Sequence, residues 1–360
     1  MLGVIRFFLA SCVILFHLTA KFPGLGLYAV NCFYVISGYL ITMILNGTYQ
    51  FHLKRFALNR FLRLYPSYYF LCLIALITIF SIDNAHNFHQ SYTGEFDFKS
   101  IVSNLSIFTW AIFSDTVSPS PFSAWGTPDI LNFDGQLFRL ITSSWSVGVE
   151  IVCYFVLWVF TARRLSTTII TVVAAAFYHY SALHYWNNIV ATYSPFIAAM
   201  LPFGIGSLGY FLSVKIEARI PERYKKFRAQ LVFSAIFFVV FISNWLTPYY
   251  TGEILGNWHY YANNIIALFA VMSLHETRVP APLLSVTRTL GDMSYPMFLC
   301  HFFCALIIWH FMGEPKNTAG WVIFIGGYGI ALALSFLTIQ IIDKPMSKVR
   351  DKIRGSSRTL

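Results

Sequence analysis

The chain has 360 residues, of which 57% are hydrophobic and only 11% charged. Soluble domains carry roughly a quarter charged residues, so this composition excludes an ordinary soluble domain and points to a chain that crosses a membrane many times. The formal net charge of +10 would suit a nucleic-acid partner, but its placement along the chain argues against one.

Apolar stretches long enough to cross ~30 Å of hydrocarbon fall at about 3–20, 27–46, 66–82, 144–161, 166–183, 192–213, 229–247, 259–275, 294–312 and 320–342. The expected fold is therefore all-α: a polytopic membrane helical bundle of about ten transmembrane helices, with both termini cytoplasmic. In that topology the inner segments 47–65, 162–165, 214–228, 276–293 and the tail hold 20 of the 25 Lys and Arg residues, as the positive-inside rule requires. The charge then reads as orientation and contact with anionic lipid, not nucleic-acid binding. An integral-membrane domain over 1–343 and a basic cytoplasmic tail over 344–360 are expected. The N-terminus has no clustered basic start and no small-residue cleavage site, so its apolar stretch is read as a retained span. All six cysteines lie in apolar stretches without CxxC spacing, and are read as small buried hydrophobes without a zinc site.

In the first span, Arg6 and His17 stand eleven positions apart. Ionisable groups in lipid are costly, and their default reading is functional. On one helix they lie about 16 Å apart, too far to touch. That places Arg6 near one interface and His17 past the middle, where an imidazole titrating near neutrality suits proton transfer. The basic stretch from Phe51 to Pro66 carries Arg60 and Arg63 on one helical face. Their guanidinium groups suit either phosphate contact or lipid headgroups.

The long outer segment from Ile82 to Ser143 holds Asp83, Glu95, Asp97, Asp115, Asp129 and Asp134 against Lys99 and Arg139. Within it, Ile101 to Phe113 is apolar but too short to span, which suggests a re-entrant or interfacial piece. A loop of this length either covers an outward-facing site or forms a packed cap. Next, Ser144-Trp145-Ser146-Val147-Gly148-Val149-Glu150 leads into the fourth span. A lone carboxylate there is either the structural partner of an arginine or histidine, or a functional group facing a watery cavity. Leu290 to Tyr295 leads to His301, which fits packing or function. His86 and His89 lie three apart with nothing to complete a metal-ligand set. His179, His184, His259, His275 and His310 fall near span ends. No P-loop, GxGxxG or GxSxG is present.

Taken together, these residues resemble the integral-membrane acyltransferase family called acyltransferase 3. The resemblance rests on Arg6-x10-His17, the run Phe33-Tyr34-Val35-Ile36-Ser37-Gly38-Tyr39-Leu40-Ile41, and Arg60-Phe-Leu-Arg63-Leu-Tyr-Pro66. Ser144-Trp145-Ser146 with Glu150, Gly291-x-x-Ser294-Tyr295 reaching His301, and Asp343-Lys344-Pro345 complete it, in family order along nearly the whole chain. Two positions depart from the pattern: Glu150 is followed by Ile151-Val152-Cys153 where a second acidic or amide residue is usual, and Asp343 stands where Glu is common. No fused extracytoplasmic domain follows the tenth span, so the chain is expected to act alone or with a partner.

The resemblance implies transfer of an acyl group, typically acetyl from acetyl-CoA as co-substrate, to a hydroxyl. Acceptors in the family are mostly carbohydrates such as O-antigen, exopolysaccharide, peptidoglycan or lipid-linked sugars. The expected setting is the bacterial inner membrane, with membrane lipids around the chain and no bound cofactor. In that scheme His17 is the base or a transient acyl carrier, with Glu150 orienting its imidazole or holding its charge. Arg6, Arg60 and Arg63 grip the coenzyme A phosphates, while Ser37, Trp145, Tyr295 and His301 contact substrate or line the cavity. A transporter or flippase for a sugar or lipid is the alternative. It is disfavoured by the lack of an internal repeat or paired interrupted half-helices.

Overall fold

A computed structural model of the chain describes residues 1–112, 137–186, 189–216, 221–252, 256–274 and 279–355. Among the described residues all regular structure is helical. In chain order the helices are α1 (Leu2–Thr19), α2 (Leu25–Ile44), α3 (Leu53–Phe80), α4 (Ala85–Phe88), α5 (Phe98–Ser106), α6 (Ser144–Val159) and α7 (Leu165–His184). There follow α8 (Phe196–Ile216), α9 (Glu222–Lys225), α10 (Phe227–Thr251), α11 (Trp258–Leu274), α12 (Ala281–Phe311), α13 (Trp321–Thr338) and α14 (Lys344–Gly355). Each of the ten apolar stretches is met by a helix. Eight helical segments among the described residues are long and apolar enough to cross a membrane, and α6, with 16 residues, is a shorter apolar helix. The chain is a multi-pass membrane protein.

The basic segments expected as loops before spans three and nine are instead helical. Helix α3 begins at Leu53 and α12 at Ala281, well before the expected 66 and 294. Apart from Pro282, tolerated in the first turn of α12, their Leu, Arg, Ala and Thr runs contain no glycine or proline before Pro66 and Gly291, so nothing stops helix growth where apolarity ends. The segment after Asp343 is also ordered: α14 lies against α3, where Asn59 Nδ2 donates to the Arg350 carbonyl at 3.4 Å. Two π turns, Leu45–Tyr49 after α2 and Ile339–Asp343 before α14, shift the helical register at this basic end.

Two glycine seams set the closest helix approaches. A Cβ on Gly38 of α2 would lie 2.1 Å from the Phe203 carbonyl oxygen of α8, and one on Gly206 would lie 2.0 Å from that of Val35. On α1, a Cβ on Gly3 would meet the Thr287 carbonyl oxygen of α12 at 2.4 Å, and Gly291 faces it there. Small residues of this kind let helix backbones touch where lipid supplies no hydrophobic drive between helices.

In the outer segment, α5 is followed by a 3-10 turn over Phe108–Ala111. Phe98, Ile101, Val102, Leu105 and Phe108 are exposed, as an interfacial piece requires. The free carbonyls at the end of α5 are capped by a row of tyrosines on α3: Tyr68, Tyr69 and Tyr65 donate to Asn104, Leu105 and Ser106 at 2.8, 2.8 and 2.7 Å. Phe113, Asp115, Asp129 and Asp134 lie outside the described residues, as do His275 and the last five residues. All six cysteines are buried free thiols.

Candidate active site

Helices α1, α2, α6 and α12 surround a central cavity enclosing about 480 Å³ of atom-free space, counted out to its mouth. Its apolar wall is interrupted by Arg6, Ser37, Ser146, Glu150, Ser294 and Tyr295. Few polar groups on an apolar wall is the usual make-up of a small-molecule site. Glu150 and Tyr154 stand i, i+4 on one face of α6. The Tyr154 hydroxyl donates to Glu150 Oε1, and Ser37 Oγ, brought across by α2, donates to the same oxygen at 2.8 Å. Oxygen Oε2 has no hydrogen-bond partner among the described residues. Tyr295 lines the cavity while its hydroxyl ties α12 to the Leu64 carbonyl of α3 at 3.1 Å.

Arg6 belongs to two cavities. It lines the central one and also a second, about 760 Å³ to its mouth, shared with Arg288 and Asp292. Its guanidinium makes no hydrogen bond or ion pair among the described residues. Arg63 faces Asp292 at 3.4 Å, and the two carry that charge to a third cavity bounded by α14. Arg60 is placed differently from its i, i+3 neighbour. It donates to Asn59 Oδ1 at 3.0 Å, its buried Nε has no partner, and it is absent from the walls of all three cavities.

His17 lies in a separate group. Its exposed ring stacks on that of His301 at 5.5 Å between centroids, and lies 4.9 Å from Phe302. The expected support from Glu150 is not made: its Oε1 accepts from Ser37 and Tyr154, and no hydrogen bond joins it to His17 among the described residues. His301 is wholly buried, and its Nδ1–H donates to the Phe298 carbonyl at 2.8 Å. In the neutral ring the lone pair therefore sits on Nε2, which is buried and has no partner. Ser143 Oγ donates to the same carbonyl at 2.7 Å, joining the start of α6 to α12.

Sequence reading set His89 aside, yet its ring lies 4.7 Å from Phe302. Its Nδ1 accepts from the Ser91 backbone N–H at 3.0 Å. Burial, with Arg139 nearby, lowers its pKa to about 4. Three imidazoles thus surround one phenyl ring. No spacing signal joins residues 17, 89 and 301; only the fold does. Among the described residues no group of three or more His, Cys, Asp or Glu side chains is arranged to hold a metal ion. Trp145 departs from expectation: it packs on Tyr193 at 5.6 Å and is not in the central cavity wall. Five helical positions separate it from Glu150, roughly 140° around the axis.

Residues 2–340 match the family model described as an acyltransferase domain. The chain belongs to that family. That membership favours an enzyme over the transporter or flippase. It is 30% identical over 142 residues to the peptidoglycan O-acetyltransferase OatA of Listeria monocytogenes serovar 1/2a, covering 38% of this chain and 20% of that protein. The chain thus matches only a fifth of that relative's length. No solved structure matches.

Proposed function

We propose that the chain is a membrane O-acyltransferase that takes acetyl from cytoplasmic acetyl-CoA and passes it to a hydroxyl of a carbohydrate. The observation carrying this reading is the position of Arg6. It is an unpaired cation that lines both the central cavity and the cavity on the basic side; in this reading the donor reaches the Glu150 wall past its guanidinium. In this reading the basic end is cytoplasmic, as the positive-inside rule demands, and about ten spans cross a bacterial inner membrane. The phosphates of coenzyme A are drawn by Arg6 and Arg63, with Arg60 behind them. The name of the relative, a peptidoglycan O-acetyltransferase, supports a carbohydrate acceptor.

A hydroxyl attacks a thioester poorly until a base removes its proton. The acceptor oxygen forms a bond to the acyl carbon while His17 takes the hydroxyl proton. The carbon–sulfur bond breaks, and the departing thiolate receives that proton. A variant of this route attaches the acyl group to His17 first. Glu150, held by Ser37 and Tyr154, balances Arg6 across the cavity and does not orient the imidazole.

The test is release of coenzyme A from acetyl-CoA by membranes containing the protein, offered cell-surface glycans. His17→Ala should abolish release with expression intact; near-normal turnover would remove His17 from the chemistry. Arg60→Ala should raise the acetyl-CoA concentration needed, and an unchanged dependence would remove Arg60 from donor binding.

A further inference from the structure

The third cavity is left unused by this scheme except at its Arg63 edge. Helices α3, α12 and α14 and the π turn Ile339–Asp343 enclose about 1100 Å³ there, counted to the mouth. Its charged wall consists of Arg63, Arg288, Lys344 and Arg350 against Asp292 and Asp343. Both carboxylates have partners already. Asp292 faces Arg63, and Asp343 Oδ1 accepts from Ser67 at 2.7 Å, its Oδ2 being buried without a partner.

The other three cations have no ion pair among the described residues. Lys344 donates to the neutral Gln340 side chain. Arg288 makes no polar side-chain contact among the described residues. Arg350 is the most telling, because it is only 9% exposed and its side chain reaches only Asn59 Oδ1, at 3.5 Å. That same amide oxygen also accepts from Arg60, so two largely buried guanidinium groups lean on one neutral acceptor. A buried charge without an opposite charge is costly, and here the shortfall opens onto a cavity large enough for an anion to relieve it.

We propose that this cavity is a seat for a phosphate-bearing group, held by Arg288, Lys344 and Arg350 with Arg63 at its edge. Guanidinium forks from two helices together with a lysine on the same cavity wall match the several oxygens of a phosphate better than one carboxylate. Two sources carry that chemistry: the phosphates of a soluble nucleotide-linked donor, and the headgroup of an anionic lipid. Either way α14 becomes part of a binding site. The soluble-donor source rests on the acyl-transfer reading; the lipid source does not.

The experiment uses the full chain in lipid nanodiscs and reads its thermal unfolding. One arm holds neutral phosphatidylcholine and titrates inorganic pyrophosphate or coenzyme A. The other omits both and raises the phosphatidylglycerol content. Stabilisation in the first arm identifies soluble phosphate, and in the second a lipid headgroup; a response in both means that the seat takes either. Arg288→Gln and Lys344→Gln, both at exposed positions, should each weaken the response by about tenfold. Lys348→Gln, on the same helix but outside the wall, should leave it unchanged. Arg350→Gln should show the largest loss if it folds, but the two exposed variants decide the matter. No stabilisation in either arm, or responses in Arg288→Gln and Lys344→Gln equal to wild type, would overturn the proposal.

Discussion

Gly38→Ala is a one-carbon change that tests whether the α2–α8 seam holds the site in place. The added Cβ would stand 2.1 Å from the Phe203 carbonyl oxygen and 2.8 Å from its carbonyl carbon and Cα, where ordinary contact begins near 3.4 Å. The obstacle is helix backbone, which cannot rotate aside as a side chain would. Gly206 faces α2 at equally close range, so the helices must part by about 1 Å. Overpacking of this kind costs roughly 1–3 kcal/mol. Ser37 is the adjacent residue, and its 2.8 Å bond to Glu150 would stretch past hydrogen-bonding range. A hydrogen bond to a charged group contributes about 1.5–3 kcal/mol. A displacement near 1 Å at a reacting centre also lowers turnover by roughly 100-fold. Thermal unfolding in detergent and coenzyme A release from membranes measure the two effects. Gly47→Ala is the control, because nothing lies within 4 Å of the Cβ it would gain. A Gly38→Ala protein with wild-type unfolding and wild-type turnover would refute both the seam and its link to the site.

The remaining predictions concern the polar groups. Tyr154→Phe and Ser37→Ala each remove one donor from Glu150 Oε1 and should lower turnover about tenfold, while Glu150→Gln should lower it further; equal activity in all three would take the carboxylate out of the site. For His89, the folded pKa of about 4 lies below the ordinary 6.5, so protons favour the unfolded chain. Its contribution is fully present above pH 6.5 and is lost as pH falls toward 4. His89→Gln should therefore lose less stability than wild type between pH 7 and 4.5. Parallel losses in unfolding midpoints over that range would show that His89 is not the titrating group.

Apolar runs and the distribution of Lys and Arg made the helices legible, because burial in lipid constrains every residue of a span. The ends were less legible: α3 and α12 extend into basic sequence, where hydropathy falls but helix propensity does not. Within the site, Arg6, Glu150 and Tyr295 belonged to polar groups breaking the apolar pattern and Ser37 came from the family resemblance, and the fold places all four on one cavity. Tyr154 was missed because a tyrosine in a membrane helix is unremarkable until its hydroxyl is seen on a carboxylate. Contacts such as Asn59 to Arg350, 291 positions apart, leave no periodic trace in one sequence. The same holds for His17 and His301. Periodicity reports which residues share a helix face, not which helix that face meets.

Of the helices that frame the central cavity, α1 and α12 already touch backbone to backbone at Gly3 and Gly291, so they cannot close on it further. Room inside is decided by four inward-facing apolar side chains, Val30, Phe33, Val147 and Phe298. If the donor binds there as proposed, the length of acyl chain that fits beside Glu150 is set by those four side chains. Trimming Phe33 or Phe298 is the direct route to a longer donor, with the helix framework left as it stands.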